Sequence, residues 1–182
     1  MLREQDTVVN TRGIAWISAA TPDPRDTRET WHTNPGARRA TDAGRIFDAV
    51  VVRAAVGAAI LEALNVAAQP VGAVIAESPV GKWAWLVGPG SRDAWANAVG
   101  PSGGGARYHY VGSGGRLTVP GPQPYPGAAM TWAVPPGLGT DLTCVTTLAA
   151  AFLAAEHDAG ADVTCHAEAG RQCPDCGRPA NT

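Results

Sequence analysis

Residues Ile46 to Val66 read IFDAVVVRAAVGAAILEALNV. The first seven, Ile46 to Val52, are short, continuous and rich in β-branched side chains, the pattern of a strand. From Ala54 the period changes. Val56, Ile60, Leu61 and Leu64 fall on one face of a helix that runs to Val66. A strand that passes directly into an amphipathic helix is the first half of a βαβ unit, and the segments after Val66 decide which kind.

Those segments read as a hairpin. Pro70 to Glu77 (PVGAVIAE) reads as a strand, Ser78-Pro79-Val80-Gly81 as a tight turn, and Lys82 to Val87 (KWAWLV) as its partner. Gly88-Pro89-Gly90 ends that strand, and Ser91 is placed to cap a short helix to Val99. Gly100 to Gly105 is a loop, and Arg107 to Val111 is a strand. Strand, helix, strand, strand, helix, strand is the order of the split βαβ, ferredoxin-like or RNA-recognition-like arrangement. The fold class expected is therefore α+β, an antiparallel sheet with helices on one face. The other face is left for a site or a second layer.

Upstream, Val8 to Ala20 has helical spacing, and Asp23 is placed to cap a second helix with Pro24 at its first position. Asn34-Pro35-Gly36 signals a turn, and the polar segment Ala37 to Gly44 reads as a loop. Downstream, Gly112 to Gly137 (GSGGRLTVPGPQPYPGAAMTWAVPPG) reads as a proline-rich hairpin of two strands. Asp141 to His157 reads as a last helix, capped at Thr140 or Asp141 and stopped by Gly160. The division expected is a domain over residues 1–160 and a cysteine-rich tail over 161–182.

The chain has 182 residues, 22 Gly, 15 Pro and a net charge of −2, enough length for one core. Residues 1–140 carry 12 basic and 10 acidic side chains, and residues 141–182 carry 2 and 6. Strong nucleic-acid binders show a clear basic excess, so any such binding must come from a local patch. The N-terminus has no charged-then-apolar signal pattern, and the most apolar window, Leu142 to Ala155, is too short to span a bilayer. A soluble cytoplasmic protein with no membrane partner is expected. Four cysteines in such a compartment do not form a disulfide framework.

Lys82, Arg107, His109 and Arg116 are candidates for a phosphate-binding face of the sheet, since anions are well served by such donors; the plainer reading is a solvated face. Tyr108 and Tyr110 flank His109 and stack on bases or pack in the core. Asp48 is either a metal ligand or an acid at a strand start beside Arg45 or Arg53. In the tail, Cys173-Pro174-Asp175-Cys176-Gly177 is a zinc-knuckle turn, whose two thiolates grip one Zn²⁺. Cys165, His166 and His157 are the further ligands at hand, so a zinc site would use Cys165, His166, Cys173 and Cys176. A second CxxC is missing, and a tail with incidental cysteines is the alternative.

Two stretches also resemble a family. Gly114-Gly115-Arg116-Leu117-Thr118-Val119-Pro120-Gly121-Pro122, with Tyr125-Pro126-Gly127 and Trp132 after it, resembles the closing signature of prim-pol domains of the archaeo-eukaryotic primase superfamily. Ser78-Pro79-Val80-Gly81-Lys82-Trp83-Ala84-Trp85-Leu86 resembles that family's nucleotide-binding hairpin. Trp31 to Pro35 and Gly44 to Asp48 are similar to segments of its short bacterial members. The likeness covers residues 12–158 loosely. It implies an RNA-recognition-like catalytic core with N-terminal helices and C-terminal strands added.

The family's chemistry uses paired carboxylates on the first core strand, a third acid, and a Ser and a His on the hairpin, with divalent metal assisting nucleotidyl transfer. In register with the family, Val51 and Arg53 stand at the acidic pair, Val80 at the Ser and Ala84 at the His. Val111, Gly112 and Ser113 stand where the third acid is expected. The resemblance therefore implies a non-catalytic descendant that associates with nucleotides, DNA or RNA. Two alternatives stand beside it. One is an active, Mg²⁺- or Mn²⁺-dependent primase/polymerase with a site relocated to Asp48 and Glu77. The other is a protein-interaction domain with a zinc-binding tail and a protein partner.

Overall fold

β2 (Asp48–Arg53), formed by the stretch DAVVVR, lies inside the main sheet and is bonded on both edges. The computed structural model describes residues 9–78, 80–100 and 107–161. Ahead of β2 come α1 (Thr11–Ser18), α2 (Pro24–Thr33) and β1 (Arg39–Asp42). After it come α3 (Ala54–Val66), β3 (Val74–Glu77), β4 (Lys82–Val87), α4 (Arg92–Val99), β5 (Tyr108–Val111), β6 (Arg116–Val119), β7 (Met130–Val134) and α5 (Val145–Ala161). The architecture is α+β. Five antiparallel strands in the order β5-β2-β4-β3-β7 make one sheet, and β1 and β6 make a separate two-stranded antiparallel ribbon. No helix among the described residues is long and apolar enough to cross a membrane.

The continuous apolar character of β2 has a physical reason: both of its faces are covered. Val50 and Val52 join Val74, Trp85, Val87 and Tyr110 under α3, α4 and α5, which contribute Val56, Ile60, Leu64, Trp95, Val99, Leu148 and Phe152. The rings of Trp95 and Phe152 lie 5.3 Å apart, and Trp95 meets Tyr108 edge-on at 5.2 Å. Tyr108 and Tyr110 thus pack in the helical layer and are not displayed for bases. On the other face Ala49, Ala73, Ile75, Ala84, Leu86 and Val111 meet a second layer. It is built from α1, α2, the ribbon and the segment before β2, through Ile17, Trp31, Phe47 and Val119.

Local chemistry sets several boundaries. Asp23 caps α2, its Oδ1 accepting from the amides of Arg25 and Asp26 at 3.0 and 2.9 Å, with Pro24 at the first position. Ser91 precedes α4 as expected, but its hydroxyl donates to Gly88 O at 2.6 Å and does not cap the helix.

Four expectations are corrected. The segment Ala37 to Gly44 is no simple loop, because it contains β1. That strand has no apolar alternation of its own and depends on its partner. Arg39 to Asp42 pair with Val119 to Arg116, the Thr41 hydroxyl donates to Leu117 O at 2.8 Å, and Asp42 is bridged to Arg116 at 3.3 Å. The two strands of Gly112 to Gly137 are no hairpin: β6 pairs with β1, while β7 pairs with β3 at the edge of the main sheet. The last helix starts at Val145, not at Asp141. Residues 141–143 run along the sheet, with Ala73 N–H donating to Asp141 O at 3.0 Å and Thr143 N–H to Leu86 O at 2.9 Å. The Asp141 carboxylate is occupied by Gly137 N at 2.8 Å and Arg12 at 3.0 Å. Gly160 does not stop α5, which continues to Ala161.

Between β6 and β7 the chain makes an excursion that is pinned on several sides. Val9 N–H donates to Pro122 O and Gln123 N–H to Pro35 O, both at 2.9 Å. Ser78 N–H donates to Ala129 O at 2.9 Å. Trp132, 1% exposed, donates from its indole to Gly121 O at 3.2 Å.

Candidate nucleic-acid interface

Side chains alternate across a strand, so the residues that pack in the second layer fix which others share its face. Val51 and Ala84 pack there. Arg53, two residues beyond Val51, and Lys82, two before Ala84, therefore lie on the same face. In the register Arg53 is directly opposite Lys82, Lys82 opposite Glu77, and Glu77 opposite Met130. One step along the strands, His109 is opposite Val51, and Val51 opposite Ala84. The second layer buries Ala49, Leu86 and Val111 but stops short of this corner, where Arg53, Lys82 and His109 are exposed and Val51 is half-buried.

The electrostatics of the corner are unusual for a solvated face. Directly opposed residues on neighbouring antiparallel strands have Cβ atoms about 4.5–5.5 Å apart, and like charges there destabilise the pair. Arg53 and Lys82 are such a pair. Glu77, on the far side of Lys82, is the one carboxylate in the row. Among the described residues none of Arg53, Lys82, Glu77 and His109 is in an ion pair.

The four cations read from the sequence are divided by the fold. Lys82 and His109 come together at this corner. Arg107 lies on the opposite side of the sheet, paired with Glu156 and with its guanidinium carbon 5.4 Å from the centre of the Phe152 ring. Arg116 is on the ribbon, neutralised by Asp42. Arg53, considered in the sequence only as a neighbour of Asp48 or as the replacement for an acid, belongs to the cluster. The available signal was its same-face spacing from Val51 together with the Lys82 start of the hairpin.

Asp48 lies elsewhere. It is 2% exposed and faces the helical layer with Val50. Its Oδ2 accepts from the Gly90 amide at 2.9 Å and from the Tyr110 hydroxyl at 2.8 Å, and its Oδ1 has no partner among the described residues. Neither Arg45 nor Arg53 pairs with it: Arg45 donates to Thr21 O at 3.4 Å. The nearby cation is Arg92, 4.7 Å above the Tyr110 ring. Glu77 is on the other face of the sheet, so the two carboxylates of a relocated metal site do not converge. Among the described residues no three of His, Cys, Asp and Glu gather as metal ligands. A divalent metal does not fit the corner formed by Val51, Arg53, Lys82 and Ala84, which offers Glu77 as its one carboxylate. Cys165, His166, Cys173 and Cys176 lie outside the described residues.

Burial, and then the Asp48 hydrogen bond and charge, push the Tyr110 hydroxyl well above the usual tyrosine range. The folded state thus holds this proton at pH values where the unfolded chain has lost it. Stability is full below the ordinary value near 10 and falls as pH rises past it. Denaturant unfolding measured from pH 9 to 11 is expected to fall more steeply for the wild type than for Tyr110→Phe, by up to about 1.4 kcal/mol per pH unit. Parallel curves would show that this proton is not held.

Near the other end of the row, residues Gly36 to Arg38 and Tyr125 to Met130 line an open cavity of about 510 Å³. Met130 lines this cavity and stands opposite Glu77 in the register. Compared with family models, with curated proteins and with solved structures, the chain finds no match.

Proposed function

We propose that the chain is a non-catalytic module that holds the phosphates of single-stranded nucleic acid or nucleotides on the exposed corner of its main sheet. The observation that carries this reading is the opposed and exposed Arg53–Lys82 pair, in no ion pair among the described residues, with His109 beside it. A like-charge pair held in register is costly alone and favourable once a polyanion lies across it. The fold supports a primase-polymerase-like descent in two ways. The segments β2-α3-β3-β4-α4-β5 pair in the order β5-β2-β4-β3, the order a ferredoxin-like split βαβ core requires. Positions 51, 53 and 84, where the resemblance expects the metal-binding acids and the hairpin His, fall on one face, at this corner.

The test is titration of a fluorescent single-stranded oligonucleotide across salt, with primer synthesis and extension assayed in Mg²⁺ and in Mn²⁺. Binding that weakens steeply with salt and no extended product are expected. No binding at low salt would favour a protein-interaction domain. Product lost on Asp48→Asn or Glu77→Gln would establish the enzyme instead. We propose separately, from the Cys-Pro-Asp-Cys sequence motif, that the tail binds zinc through Cys165, His166, Cys173 and Cys176. Zinc quantitation on chelator-washed protein tests this, and a structural site retains its metal.

A further inference from the structure

Tyr125 is 59% exposed, yet its side chain is fixed. Its hydroxyl donates to Asn34 Oδ1 at 2.6 Å. Its ring lies so close over Gly36 that a Cβ there would overlap the ring atoms and push the ring aside. The turn that presents it is closed by Ala128 N–H donating to Tyr125 O at 2.9 Å. An aromatic ring held still and largely in water gains little from burial. What gains from a ring already immobilised is a planar ligand, which stacks on it at small entropic cost.

The cavity that Tyr125 lines supplies the other requirements. Arg38 is at its edge, exposed and with no ion-pair partner among the described residues. A guanidinium at that place suits a phosphate oxygen or the polar edge of a base. Met130, which lines the cavity and is itself buried, stands opposite Glu77, and the register runs on through Lys82 to Arg53. Three strand spacings put Met130 about 14 Å from Arg53, roughly four stacked base steps of about 3.4 Å. One nucleotide does not bridge that span, and a strand of several does.

We infer that the Tyr125 cavity is a base-binding subsite: an unpaired nucleobase stacks on Tyr125, its phosphate meets Arg38, and the same strand continues onto Lys82 and Arg53. This rests on the phosphate-binding role proposed above for the sheet corner, and it adds the ligand class. A nucleobase carrying a phosphate is the shared chemistry; a free nucleotide and a strand are its two sources.

The test uses the full chain with three ligands: a labelled single-stranded octanucleotide, an abasic strand of equal length, and adenosine monophosphate. Tyr125→Leu removes the ring, Ala128→Leu narrows the cavity while keeping the ring, and Tyr125→Phe keeps the ring and loses only the hydroxyl. The first two are expected to weaken octanucleotide binding about 5- to 160-fold, the range for one stacked base, with the abasic strand unaffected. Tyr125→Phe keeps the stacking face but frees it from Asn34, and is expected to bind more weakly than the wild type and more tightly than Tyr125→Leu. Equal losses for both strands, or no loss for either, overturn the subsite. If neutralising Arg53 and Lys82 then still weakens both strands, the phosphate-binding reading stands alone; if that change has no effect either, both fall. Adenosine monophosphate binding as tightly as the octanucleotide, and depending on Tyr125, overturns the strand as occupant.

Discussion

Neutralising Arg53 and Lys82 together, as Arg53→Gln/Lys82→Gln, is expected to weaken single-stranded oligonucleotide binding roughly 60-fold at 50 mM salt, and hardly at all near 1 M. The magnitude comes from counterion release. Each phosphate contact on a single strand contributes about 0.7 to the slope of log K against log salt. Two contacts removed therefore lower the slope by about 1.4, and at 50 mM that amounts to nearly two decades. The change does not threaten the fold, because both side chains are exposed and removing a like-charge pair relieves repulsion. Arg116→Gln is the control. It lies on the ribbon, not in the main sheet, and is bridged to Asp42, so its loss should leave both affinity and slope near wild type. If Arg116→Gln weakened binding as much as the double change, the interface would lie on the ribbon and not at the sheet corner.

Trp132→Ala is expected to cost about 3–5 kcal/mol, the range for emptying a buried aromatic site. Against a total of about 5–15 kcal/mol for a domain, that is a large share. Trp132 packs with Ile75, Met130 and the second layer, and its indole holds Gly121 at 3.2 Å. The substitution thus opens a void and also releases the excursion behind the Tyr125 cavity. Trp132→Phe keeps most of the volume and gives up the hydrogen bond, for about 1 kcal/mol more than its small volume loss. Urea midpoints read the order: wild type, then Phe, then Ala, with an unchanged denaturant slope. A fall for Ala of under about 1 kcal/mol would mean that the excursion is held by its backbone hydrogen bonds alone.

Elements whose signals are local were legible in the sequence. α3 and β4 run where the spacing of Val56, Ile60 and Leu64 and the alternation of KWAWLV put them. Asp23-Pro24 started α2 through a cap that needs only adjacent residues. β1 was not legible, because Arg-Ala-Thr-Asp becomes a strand through a partner more than seventy residues away. The same non-local pairing separated β6 from β7 and undid the expected hairpin. The cations Lys82 and His109 were legible as candidates from residue type alone. Their grouping with Arg53, and the removal of Arg107 and Arg116 from that group, needed the strand register and the limits of the second layer. Asp48 looked available for metal because a sequence does not reveal that Tyr110 and Gly90 will occupy its carboxylate.

The second layer is tied down at its beginning by residues that come much later in the chain, Gly137 and Asp141. Asn10 donates to Gly137 O across 127 residues, and Arg12 meets Asp141 across 129. On a ribosome α1 meets α2 and the segment before β2 soon after it emerges, but these two fastenings form only once residue 141 has emerged as well. Throughout that interval the cover over this side of the main sheet is only partly fastened. Long-range closures of this kind slow folding and prolong exposure of sticky surface. The nascent protein is therefore expected to depend on chaperones until its last helix is being made, and ribosome-bound chains arrested before residue 141 should be the ones that a holdase captures.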